Sequence, residues 1–264
     1  MTLAAYLRVW LASMRYSIVR NLMFRFDTLL WFLVEFAWMA VSIVLIEVIF
    51  GHIDSLAGWS KYEMLLLVGT SMVISRLFMG LFMSNLFEVG RNVRTGAFDF
   101  FLAQPGNPLF MVSTRKVELD GLMNVVLGIA LVAFAASKLG LKPSFTGIVI
   151  YAIMILCGVA IHFGVCAILV STAFWTIRSE GVETGYFTLF EFSRLPRSAF
   201  RGIASVVFVY LFPAVIVSNF PAKALISGPE AHLLLWLVGA SMAWFWVAVL
   251  VFNWGLRRYT SASS

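Results

Sequence analysis

Ionisable side chains inside long apolar runs are what chemistry in this chain would need, and Glu35, Arg76 and His162 are the deepest of them. A lone charge in hydrocarbon is costly, so such groups pair with one another or line a wet path. Glu35 lies about eight residues, roughly 12 Å, above the inner end of its segment, and Arg76 about ten residues, roughly 15 Å, above the inner end of the next, antiparallel one. The matched depths predict a Glu35–Arg76 ion pair, either static between neighbouring helices or lining a substrate path, with a partner across a subunit interface as the alternative. His162, near the middle of its segment, reads as a neutral ring hydrogen-bonded inside the bundle, with a functional role as the other reading. Glu47 lies near the outer boundary, where it reaches headgroups.

Signatures of other chemistry are absent from the sequence. It has no G-x-x-x-x-G-K-[ST] phosphate loop, no H-E-x-x-H and no G-x-S-x-G, so ATP hydrolysis by the first motif would fall to a separate chain. No catalytic residue, metal site or cofactor is assigned. His52, His162 and His232 are scattered, and Cys157 and Cys166 are nine residues apart on one helical segment. That spacing puts the thiols on opposite faces, where they cannot bridge.

The elements that position these residues follow from composition. With 61% hydrophobic and 12% charged residues, the chain has more apolar surface than a soluble domain of this size buries. A helical span needs about 20 apolar residues, and six candidates run near 27–50, 61–86, 112–137, 147–175, 200–222 and 233–255. The alternation of a membrane barrel is missing. The expected fold is an all-α integral membrane protein with six transmembrane helices in 27–255, preceded by an amphipathic helix over 1–26 and followed by a cytosolic tail, 256–264. In the first of these, Leu3, Leu7, Trp10, Leu11, Met14, Ile18 and Leu22 share an apolar arc flanked by Arg8 and Arg15, which suits the membrane interface. No cleavable signal peptide is expected.

Placing both termini in the cytosol leaves fourteen Lys and Arg inside, including Arg91, Arg94, Arg194, Arg197 and Arg201, with only Lys61, Lys138, Lys142 and Lys223 outside. The basic balance then reflects topology and anionic lipid, not nucleic acid. On this reading 87–111 and 176–199 are cytosolic loops. Gly121, Gly128, Gly158 and Gly164 permit close helix approach and are compatible with dimer packing. Pro213 and Pro221 remove backbone donors near the fifth span, so 213–232 is expected to kink or re-enter from outside, as a packing feature or as an outer gate.

The loop Glu88 to Phe110 is the most specific stretch. Arg91 and Arg94 lead to a turn at Gly96; Phe98, Asp99, Phe101 and Leu102 come next at helical spacing, and Pro105 and Pro108 end the helix. Val93, Arg94, Gly96, Phe98, Asp99, Leu102, Pro105, Pro108 and Leu109 match a coupling-loop pattern, so the chain resembles the permease subunits of ATP-binding-cassette (ABC) exporters of the type-2 family. The S-R-L-P-R run at 193–197 and the Pro213–Pro221 element resemble further family elements, with Leu195 in place of an aromatic residue. The resemblance implies a half-transporter pairing with a second permease, identical or a sister chain, and with two copies of a cytosolic ATPase that bind ATP and Mg. It implies a bacterial cytoplasmic membrane, membrane lipids as surroundings, and a substrate among lipid-linked glycans, glycolipids, peptides and drugs. Arg91, Arg94, Gly96, Phe98, Asp99, Phe101, Leu102 and Pro105 become the ATPase-coupling residues, with the aromatics entering a cleft on the ATPase. A secondary transporter using ion coupling, or a polytopic membrane enzyme or assembly factor, is the alternative.

Overall fold

The computed structural model describes residues 1–176 and 181–260, apart from the Arg25 side chain. Helix α1 (Leu3–Met23) precedes α2 (Arg25–Phe50). Helix α3 (Lys61–Phe78) passes through a π-helical turn (Met79–Met83) into α4 (Ser84–Thr95), giving one 35-residue apolar rod. The short helices α5 (Asp99–Leu102) and α6 (Pro108–Ser113) lead to α7 (Leu119–Lys138). Helix α8 (Phe145–Ser171) is next, and α13 (Ala231–Leu256) closes the bundle. Local chemistry fixes these ends. The Ser60 N–H donates to Glu63 Oε2 at 2.7 Å in a capping box that opens α3. Gly96, with φ of 74°, stops α4 in the left-handed conformation that glycine adopts without strain.

Antiparallel neighbours alternate between a loop end, carrying Thr95, Leu119 and Leu256, and a far end, carrying Phe50, Lys61, Lys138 and Ala231. Helix α3 packs along α7, and α8 along α13. A methyl group at position 121 would stand 2.8 Å from the Gly80 Cα, so the first pair meets backbone to backbone. Gly128 lies against Val73, Gly158 against Ile74, and Gly164 against the Trp244 carbonyl. The small residues read from the sequence as compatible with dimer packing therefore face helices of their own chain. At Gly80 the π turn leaves a carbonyl free, and the Glu118 N–H donates to it at 2.8 Å, joining the second span to the start of the third.

The fifth crossing is where the structure departs from the sequence reading. Helix α9 (Ala173–Thr176) ends the descent of α8, and α10 (Val182–Glu191) turns back into the bundle. Tyr186 packs against Phe78, about 25 Å from the far end of α3, whereas the Ser193 hydroxyl bonds Ser71 at 2.7 Å, about 15 Å from that end. After a 3₁₀ turn (Phe192–Arg194) the chain runs extended through Leu195 and Pro196 to a second such turn (Arg197–Ala199). There the Ser198 hydroxyl donates to the Ala57 carbonyl at 2.5 Å, in the turn joining α2 to α3. The segment 182–200 thus spans the bundle, which corrects its placement within a cytosolic loop 176–199; residues 177–180 lie outside the described ones.

Polar side chains explain why a broken segment is tolerated here. Backbone groups without helical partners must be satisfied inside a membrane protein. The Asn219 side chain donates to the Leu195 carbonyl at 2.9 Å and accepts from the Arg197 N–H at 2.8 Å, and the Ser218 hydroxyl donates to the Ser193 carbonyl. Ser218 and Asn219 belong to α12 (Ile216–Ser227), the returning arm of a hairpin. Its descending arm runs through α11 (Ile203–Ser205) and a π-helical stretch, Val206–Leu211, and the arms meet at 84° around Pro213. Phe212, at the tip, rests on Trp244 at 5.8 Å between ring centroids, and Lys223 pairs with Glu230 where α12 regains the far end. The span expected at 200–222 is therefore a re-entrant hairpin over 203–227, because 182–200 already makes the crossing. Single cysteines at Ala199 and Asp54, in a background lacking Cys157 and Cys166, should react with an impermeant maleimide from the same membrane face, and one at Ala103 from the opposite face. Labelling of Ala199 and Ala103 from one face would contradict this topology.

Candidate functional site

Two features stand out, a loop at one end of the bundle and a charged cavity within it. In the loop, Phe98 is fully buried, with its ring centroid 5.3 Å from Phe174, 5.4 Å from Tyr259 and 6.3 Å from Phe252. Phe101 is buried beside it, and Arg115 lies over the Phe101 and Phe100 rings at 5.6 and 5.2 Å. This corrects the expectation that Phe98 and Phe101 enter a partner. A helix of four residues has too little surface to stand alone, so its two apolar anchors are consumed in joining α5 to α9 and α13. The outward side chains are Phe100, 55% exposed, and Leu102, 42% exposed. Asp99 is half-buried, Pro105 is exposed, and Arg91 and Arg94 are exposed on α4, Arg91 pairing with Glu88 at 3.3 Å. Phe100 escaped the sequence reading because helical spacing from Phe98 favoured positions 101 and 102; which face is buried depends on α9 and α13, far away in sequence.

Helix α1 is fastened to the same loop. The Tyr6 hydroxyl accepts from the Asn107 N–H at 2.8 Å, the Ser17 hydroxyl accepts from the Val117 N–H at 3.1 Å, and Asn21 donates to the Val117 carbonyl at 3.1 Å. Arg20 pairs with Glu118 at 3.4 Å. Tyr6, Trp10, Ser13, Ser17, Arg20 and Asn21 recur at helical spacing and form the packed face, leaving Leu3, Leu7, Leu11, Ile18 and Leu22 exposed on the other. The loop is thereby fastened to α1 and, through Phe98, to α13.

The cavity, of about 400 Å³, lies between α2, α3 and α10. Glu35, Arg76, His162, Tyr186, Glu191 and Arg194 line it, and Trp31 and Trp38 of α2 flank it. Arg76 forms an ion pair with Glu35, both side chains largely buried. His162 Nδ1 is 2.5 Å from the Tyr186 hydroxyl, and its ring stacks on Phe190 with centroids 3.6 Å apart. Arg194 and Glu191 also line an adjoining cavity of about 350 Å³ reaching the far end of α2. A third, of about 550 Å³, opens at the far end around Arg197, Asn219 and Lys223. Cys157 and Cys166 are free, and among the described residues no cluster of three or more His, Cys, Asp or Glu could hold a metal ion.

The chain is thus a helical membrane bundle with a fastened end loop, a broken fifth crossing and a re-entrant hairpin. A family model described as ABC-2 family transporter protein matches residues 36–263. The chain belongs to this family. No curated protein and no solved structure matches it. ABC-2 membership makes the chain a membrane permease component of an ABC transporter, and implies partnership with an ABC ATPase. The matched region includes the loop, the hairpin and the cavity lining except Trp31 and Glu35, whereas α1 and the start of α2 precede it.

Proposed function

We propose that this ABC-2 permease is the transmembrane subunit of an ATP-driven exporter, and that the 96–118 loop carries the movement of a cytosolic ATPase to the intramembrane cavity. The observation that carries this reading is the division of labour in α5: Phe98 and Phe101 lock it to the bundle while Phe100 and Leu102 project from it. An aromatic and an aliphatic anchor on a rigid platform are what a partner's pocket receives, and truncating such an anchor commonly costs over about 2 kcal/mol of binding. Arg91, Arg94 and Pro105, exposed around α5, orient it at the membrane surface, with Gly96 setting the turn and Asp99 at the helix start.

Positive charge assigns the loop end to the cytosol. Arg8, Arg15, Arg20, Arg91, Arg94, Arg115, Lys116, Arg257 and Arg258 lie there, an excess over the far end even though Arg197 and Arg201 belong with Lys61, Lys138, Lys142 and Lys223. Both termini are then cytosolic, in a bacterial cytoplasmic membrane. Two ATPase copies bind ATP and Mg, the permease chain itself holding no cofactor or ATP site, and the second permease is identical or a sister chain. The hairpin bent at Pro213 and interrupted at Pro221 is the outer gate.

The test is the double variant Phe100→Ala with Leu102→Ala, which should remain folded and membrane-inserted while ATPase co-purification falls at least about tenfold, as loss of a central anchor does. Coupled transport should fall with it. Full ATPase association and full coupled transport in that variant would remove this loop from the coupling path.

A further inference from the structure

We infer that the cavity between α2, α3 and α10 binds an amphiphile with an anionic headgroup, and that Arg194 is the residue which receives that headgroup. The inference rests on the permease reading and names the substrate class of the same site.

The charges facing the cavity are Arg76, Arg194, Glu35 and Glu191. Glu35 is committed to Arg76. Glu191 is exposed at the rim, and among the described residues Arg194 makes no ion pair. Arg194 lies within electrostatic range of Arg76, which repels it, and of Glu191 and Glu35, which attract it without a direct bond. Arg76 is 8% exposed, and its Nε, fully enclosed, has no hydrogen-bond acceptor. A buried donor without an acceptor is unfavourable, and a guanidinium with no carboxylate bonded directly to it is a ready partner for the fork of oxygens on a phosphate or carboxylate. An anion between Arg76 and Arg194 satisfies the orphaned donor and screens the repulsion together.

The apolar half of the ligand is set by the walls. Trp31 and Trp38 are 53% and 64% exposed on α2 beside the cavity, and the lining next to them is aromatic, with Phe187 and Phe190. Both tryptophans are exposed, so an apolar tail extends along α2 into the surrounding lipid while the headgroup stays inside. Arg194 also borders the second cavity, and three residues farther on Arg197 begins the third, beside Lys223. Arg197 donates to the Tyr210 hydroxyl of the hairpin at 3.3 Å and lies over the Phe220 ring at 5.8 Å. The extended step from Arg194 to Arg197 thus offers a headgroup two successive cationic stations, the second held by the hairpin.

The experiment titrates the purified permease with short-chain phosphatidylglycerol, short-chain phosphatidylcholine and inorganic phosphate, reading bound ligand by native mass spectrometry. Phosphatidylglycerol should bind at least about tenfold tighter than phosphatidylcholine, and Arg194→Gln should erase that preference, as loss of a charge-assisted bond predicts. Arg194→Lys should retain part of it. Equal binding of the two lipids by the unmodified protein overturns the inference, whether or not the variants fold; so does an Arg194→Gln protein with undiminished selectivity. Free phosphate binding as tightly as the lipid would overturn the amphiphile assignment. ATPase co-purification from the same preparations reads the proposed ATPase coupling separately: lipid selectivity without an ATPase sinks that proposal alone, and an ATPase without lipid selectivity sinks this inference alone.

Discussion

Arg76→Ala should lose about 3–5 kcal/mol of stability, the cost of stranding one partner of a buried ion pair. Few single changes in the membrane-embedded region should do more. The Arg76 and Glu35 side chains are 10% and 17% exposed, and removing the guanidinium leaves a carboxylate among Trp31, Trp38 and Met79 with no cation at hand but Arg194. Thermal unfolding of the detergent-purified protein should shift down sharply, and the folded fraction recovered from membranes should drop. The double change Arg76→Met with Glu35→Gln removes both charges together and should recover much of the loss, since an apolar replacement of a whole pair is often neutral. An Arg76→Ala protein as stable as its parent would show that the pair contributes nothing to the fold. Selective loss of transport from the charge-free double variant, with stability restored, would separate the cavity's chemistry from its architecture.

The features legible in the sequence are those that local periodicity and depth control. Five long apolar helices, the helix α1 and the turn at Gly96 all arise from patterns within about 25 residues. The Glu35–Arg76 depths came from counting residues along two neighbouring helices. The fifth crossing escaped because it is not an apolar run: Val182–Glu191 contains Glu183 and Glu191, and Ser193, Arg194 and Arg197 interrupt the rest of the segment. Such a segment crosses only because Ser71, Ser218 and Asn219 satisfy its backbone and side chains, and they lie up to 122 positions away in sequence from the groups they bond. The hairpin, apolar and long enough, took its place in the hydropathy reading. Hydropathy consequently puts Arg194 in a cytosolic loop, although it lines the cavity.

The same dependence on distant residues decides which phenylalanines of the loop face outward, and Phe98→Ala should expose the difference. Phe98 is fully buried at the junction of α5, α9 and α13, in ring contact with Phe101, Phe174, Phe252 and Tyr259. Truncating a buried phenylalanine costs about 3–5 kcal/mol, the transfer loss plus a cavity that rigid surroundings refill only partly. Edge-to-face contacts with Phe174 and Tyr259 add to the loss. The expected result is a lower unfolding temperature and a protease-sensitive loop, measured on the permease alone without any ATPase present. Phe100→Ala, changing the same side chain two positions on at a 55% exposed site, should leave both readings close to the parent and act only when the ATPase is added. If Phe98→Ala instead left stability unchanged and Phe100→Ala destabilised the isolated protein, α5 would have to be turned over. Phe98 would then be the coupling residue that its spacing in the sequence suggests.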